Sequence, residues 1–195
     1  ADRLLSLIEQ RISECNGLAA IAYSPEELYK NKQNGVKSVV LGIENGYAIA
    51  KDINNVSRYA DLGVSYMTLC HNGDNDICDS ARGKYEHNGL SAFGKEVVME
   101  MNRVGMMVDL SHASEKSFYD VLEFSKVPVI CSHSSSRTLC DHPRNLTDDQ
   151  MKALANKGGV AQVCMYSGFL KKGGQATVDD AVKHIMYMID MMGID

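Results

Sequence analysis

Five short apolar runs alternate along the chain with longer segments of helical period: Lys37 to Ile43, Tyr66 to Cys70, Met106 to Leu110, Val127 to Ser132 and Val160 to Met165. That alternation constrains the fold more than any other feature. A strand followed by a helix and a second strand returns parallel to the first, so both faces of the sheet are covered. Each run is apolar throughout rather than alternating with polar residues, as strands buried on both faces are. The class predicted is α/β with a parallel sheet.

The spacing predicts helices near Ile53 to Leu62, Ala92 to Val104, Glu115 to Ser125, Asp148 to Lys157 and Val178 to Met192. Their punctuation agrees. Thr147 and Gln150 fit a capping box, and Ser91 and Ser114 stand where a hydroxyl accepts first-turn amides. Gly63, Gly105 and Gly158 sit where helices should stop. In the Met-rich tail, Ile185, Met188, Ile189 and Met192 form a helical stripe that reads as core packing rather than as a ligand set. The polar stretch from Asn72 to Asn88 is the longest loop and a candidate lid.

A chain of 195 residues, 45% hydrophobic and 23% charged, suits one globular domain spanning 1–195. The formal net charge of -5 argues against nucleic acid as a partner, since phosphate binding needs clustered cations. No apolar run approaches the roughly 20 residues that cross a bilayer, so no transmembrane segment is predicted. The six cysteines are scattered with no CxxC pair and are expected to be reduced.

The chemistry lies at the strand ends. Glu44 follows the first run, His71 the second, His112 the third and His133 the fourth. Strand C-termini of a parallel barrel or open α/β sheet share one rim where ligands bind, so these residues should converge. A carboxylate with imidazoles is a donor set for zinc or another divalent transition metal. Taken singly, a strand-end histidine is more often a satisfied polar side chain, and Glu44 could be a turn residue. Four in succession on one rim favour a site. His87, His142 and His184 lack that context and receive no role. Arg144 follows closely in the same rim loop, where an arginine can clamp a carboxylate.

These stretches resemble a known family. "GIENG" at Glu44, "MTLCH" ending at His71, "NGLSAFGKEVVMEMNRVGMMVDLSH" ending at His112 and "PVICSHSSSRTLCDHPRN" through His133 and Arg144 are similar to the membrane dipeptidase (renal dipeptidase) family of zinc metallopeptidases. The resemblance implies a (β/α)8 TIM barrel with a binuclear Zn2+ site. It implies Glu44 as the bridging, catalytic ligand, with His112 and His133 as ligands of one zinc. It assigns His71 to catalysis and substrate contact near the scissile carbonyl, and Arg144 to the substrate carboxylate. The reaction implied is hydrolysis of dipeptides, including those with a C-terminal D-residue, by a hydroxide bridging the metals.

The departures matter too. Members of the family open with a strand bearing a His-x-Asp pair, and none occurs here; the chain stops before the strand carrying a catalytic Asp. The expectation is therefore an internal fragment, a partial barrel of roughly strands 2 to 6 of 8 lacking the first and last strands, inactive by itself. Dipeptide is the expected partner, homodimer formation and compartment are left open, and the alternatives are another barrel amidohydrolase acting on lactams or esters and a non-catalytic α/β binding module.

Overall fold

The computed structural model describes residues 1–194. Among the described residues there are seven strand segments, all paired in parallel, eight α-helices and one 3-10 turn at Gly46–Ile49. The strands are β1 (Ala19–Ile21), β2 (Lys37–Val39), β3 (Leu41–Glu44), β4 (Val64–Thr68), β5 (Met107–Asp109), β6 (Ile130–Cys131) and β7 (Val160–Ala161). The helices are α1 (Asp2–Ser13), α2 (Pro25–Gln33), α3 (Asn54–Asp61), α4 (Ala92–Val104), α5 (Glu115–Phe124), α6 (Asp148–Asn156), α7 (Ser167–Leu170) and α8 (Val178–Met192).

β3 to β7 form one sheet in chain order, every pairing parallel. This is the parallel sheet expected from the alternation, and five strands in chain order suit the partial barrel that the resemblance implies. The run beginning at Lys37 divides: its first half pairs with β1 as β2, its second half with β4 as β3. β1 and α2 are elements the sequence reading does not contain. β1 is only Ala-Ala-Ile and half-buried, so it shows neither an apolar run nor an alternation. α2 buries none of its residues and has no apolar stripe to read, although Ser24 caps it and Pro25 opens it.

One parity of each strand packs under the helices. Leu41, Ile43, Met67, Leu69, Val108, Leu110, Val129 and Cys131 join Val56, Val97, Met101, Phe118, Val121, Met151 and Leu154 in a common core. Full burial of such side chains contributes about 1.5–3 kcal/mol each. On the opposite parity Gly42, Glu44, Met107 and Val160 are exposed, whereas Thr68 and Asp109 are buried. Gly42 gives room to the Tyr66 ring, which would have to move aside for a Cβ.

The helix ends follow the predicted chemistry. Ser91 and Ser114 accept amides from Gly94 and Ser117, and Thr147 with Gln150 closes a capping box. All six cysteines are free thiols. No helix among the described residues is long and apolar enough to cross a membrane.

Candidate metal centre

The rim forms because each strand of the sheet delivers its next residues to the same end. Glu44 closes β3, while His71, His112 and His133 lie two or three residues beyond β4, β5 and β6. Two of these turns use unusual backbone. His112 has φ +73°, and Asn45, directly after Glu44, has φ +86°. A non-glycine residue held there costs of order 1 kcal/mol or more and persists only when its surroundings over-determine it.

Those surroundings are visible. The His112 carbonyl accepts from Ala81 N–H at 2.8 Å, and the next two amides bond back to Leu110 and Asp79. Asn45 Oδ1 accepts from Tyr47 N–H at 3.1 Å and from the Asn75 side-chain amide at 3.0 Å. Asn75 also donates to the Leu69 carbonyl and accepts from Ile77 and Cys78. The loop expected as a lid is thus knitted to the rim by its own side chains. Asp74 accepts from Ser80 and Lys84 amides, and buried Asp79 accepts from those of His87 and Gly89.

Three of the predicted ligands converge on one point. Nε2 of His112 stands 2.9 Å from Nε2 of His133 and 3.1 Å from Oε1 of Glu44. Nε2 of His133 is 3.2 Å from the same oxygen. Among the described residues, these three form the one group of His, Cys, Asp or Glu able to hold a metal ion. His71 lies beside rather than within it, its Nε2 3.7 Å from Glu44 Oε1 and its ring 4.2 Å from that of His112.

The electrostatics suit a cation. Burial, reinforced by Arg144 and the neighbouring imidazoles, pushes the His112 pKa down to about 3. Burial and Arg144 also lower His133, opposed by Asp109 and Glu44. Both rings are therefore neutral at pH 7 and offer lone pairs. Nδ1 of His112 is buried without a hydrogen-bond partner. The His71 carbonyl, which also accepts the Ser80 hydroxyl at 2.6 Å, is the backbone group that favours protonation of His112. The residues present fit one divalent metal.

Behind the ligands lies a polar scaffold that the sequence reading captured in part. Asp109 and Ser111 stand beside His112 in the sequence, where a ligating imidazole usually finds an acceptor for its other nitrogen. The structure turns both toward His133: Ser111 Oγ accepts His133 N–H, and Asp109 reaches the ring through Ser132. Ser132, the residue missed, carries a signal in its adjacency to His133 at a strand end.

Arg144 is 4% exposed, and among the described residues it forms no ion pair. One terminal nitrogen donates to the His133 carbonyl at 3.3 Å, its Nε has no partner, and its guanidinium lies 5.4 Å over the Phe169 ring. Burial lowers its pKa. Asn145 holds this loop by donating to the carbonyls of Ser136, Cys140 and Phe169. His87, His142 and His184 each hydrogen-bond outside the Glu44, His112 and His133 cluster. His142 accepts the Arg144 amide and stacks on Phe169, His87 donates to the Asn75 carbonyl, and His184 joins Ser136 to Leu170.

A family model for membrane dipeptidase (peptidase family M19) matches residues 4–195. Two uncharacterized dipeptidases of Schizosaccharomyces pombe are 41% identical over 183 residues and 40% over 158. The alignments cover 91% and 80% of this chain but 44% and 39% of those proteins, so the chain spans less than half the length of these curated relatives. Among solved structures, an amidohydrolase from Pseudomonas aeruginosa is 35% identical with a TM-score of 0.92, covering 97% of this chain and 57% of that one. A metallopeptidase from Rhodobacter sphaeroides, bound to a phosphinate mimic of the dipeptide L-Ala-D-Ala, shares the fold at 24% identity and a TM-score of 0.84, covering 91% of this chain and 53% of that one.

Proposed function

Because the chain belongs to the membrane dipeptidase family, we propose that the protein containing it is a zinc-dependent dipeptidase whose centre is assembled on Glu44, His112 and His133. The convergence of these three donors within hydrogen-bonding distance of one another carries the reading.

Glu44, whose side chain is half-exposed, and the two neutral imidazoles would hold one zinc, and Glu44 would be shared with a second in the intact protein. When bound, the metal supplies a water of lowered pKa and polarises the scissile carbonyl. His71, 42% exposed at the edge of the centre, donates a hydrogen bond to the oxygen that gains charge as the carbonyl is attacked. Arg144 pairs with the substrate's C-terminal carboxylate. A buried guanidinium lacking an acid partner is costly unless a ligand supplies one, and pairing it fixes the distance from carboxylate to scissile bond. That distance restricts the enzyme to very short peptides.

Hydrolysis of other amides by the same metal chemistry is the second reading, favoured by the amidohydrolase relative at 35% identity. It leaves Arg144 without an anionic partner. Gly-Leu and Gly-D-Ala are the substrates to compare, with a lactam as the contrast. Tolerance of a C-terminal D-residue and low activity of the isolated 195-residue chain are part of the proposal. Full-length protein should contain zinc and cleave the dipeptides, and Glu44→Gln should lose activity by more than about 100-fold, beyond the 10–100-fold typical of residues that only support a ligand. Undiminished turnover by Glu44→Gln, or cleavage of the lactam alone, ends the proposal.

A further inference from the structure

We propose that Asp109 and Ser132 are positioning residues, forming an oriented hydrogen-bond relay that holds His133 in the tautomer whose Nε2 is free to ligate a metal. The proposal rests on the metal reading above and adds residues and a proton arrangement to it.

The direction of the relay follows from counting donors. Ser132 Oγ lies 2.6 Å from Asp109 Oδ2 and 2.7 Å from His133 Nδ1. A carboxylate only accepts, so the single hydroxyl proton goes to Asp109. The Ser132 oxygen then accepts from His133, which places a proton on Nδ1. One proton on a neutral imidazole leaves Nε2 with its lone pair, and Nε2 is the atom facing Glu44 and His112.

Asp109 is itself held on every side. It is fully buried and, among the described residues, has no cationic partner. Oδ1 accepts the amides of Ser111 and Ser132 at 3.0 and 2.9 Å, and Oδ2 accepts the Thr68 hydroxyl at 2.6 Å as well as that of Ser132. Thr68 belongs to β4, Asp109 to β5, and Ser132 follows β6. The relay therefore ties three adjacent strands together just below the ligands. His112 has no equivalent side-chain relay: its buried Nδ1 makes no hydrogen bond, with only the His71 carbonyl favouring a proton on the ring. Of the two imidazoles, His133 is the one set in advance.

The test reads tautomer and metal affinity in full-length protein. Long-range 1H–15N correlation spectra of metal-free wild type should show His133 protonated on Nδ1, and Ser132→Ala should move population to the Nε2-protonated form. Competition with a chromophoric chelator should show zinc binding weakened about 10–100-fold in Ser132→Ala and within about 3-fold of wild type in Ser132→Thr, which restores the hydroxyl. A wild-type His133 protonated mainly on Nε2 overturns the relay, and this needs no variant to fold. So does Ser132→Ala binding zinc as tightly as wild type. A wild type that takes up no zinc overturns the metal reading instead, and the His133 spectrum still decides the tautomer.

Discussion

Nε2 of His112 and Nε2 of His133 face each other at 2.9 Å with Oε1 of Glu44 beside both. Two imidazole lone pairs at that distance repel unless a proton or a cation lies between them. Zinc should therefore stabilise the fold as well as enable chemistry. At a hundredfold excess over its dissociation constant, a ligand specific to the folded state contributes about 2.7 kcal/mol, or about 5–10 °C in Tm for a protein of this size. Differential scanning fluorimetry with zinc and with chelator reads this directly, and His133→Ala should show no zinc shift.

Arg144 sits at a trade-off between stability and function. Its guanidinium is buried without an acid, so Arg144→Met, similar in length and apolar, should keep or raise Tm. The same variant should lower kcat/KM for dipeptides by about 10- to 150-fold, the 1.5–3 kcal/mol of a charged hydrogen bond. A variant that loses both stability and activity would assign Arg144 to packing.

His184 gives the fold an acid-sensitive point. It is buried on α8, accepts the Ser136 amide through Nδ1 and donates to the Leu170 carbonyl through Nε2. Burial lowers its folded pKa below 6.5, with the Leu170 carbonyl and then Asp180 opposing. As pH falls, the unfolded chain takes up the proton first, so the stability is complete above about 6.5 and is lost as pH drops below that value. His184→Gln can make both bonds without titrating. Its urea midpoint should change less than that of wild type between pH 7.5 and 5.5, and equal changes would contradict the assignment.

Gly94 fastens α4 to the loop from Asn72 to Asn88. A Cβ at Gly94 would lie 2.1 Å from the Ile77 carbonyl oxygen, a backbone atom that cannot swing aside. Gly94→Ala should cost about 1–3 kcal/mol in denaturant unfolding despite the better helix propensity of alanine. Because Asn75 in the same loop braces Asn45, KM should also change; an unchanged stability would show the loop to be loosely attached.

How much of this was legible in the sequence varies from element to element. α4 and α8 are predicted to the residue, because each has an apolar stripe, a capping hydroxyl and a glycine beyond its end. β1 and α2 were not legible, since neither buries enough of itself to leave a pattern.

By itself, the sequence determined the parallel α/β order and the candidates Glu44, His71, His112, His133 and Arg144, because hydrophobic period and strand-end chemistry are local properties. Only the tertiary structure decided which of them share a point, and that Arg144 is buried without an ion pair among the described residues. It also turned Asp109 toward His133 through Ser132 rather than toward His112. Hydrogen-bond direction and backbone strain such as the positive φ of His112 depend on groups brought together from separate strands. No local pattern encodes them.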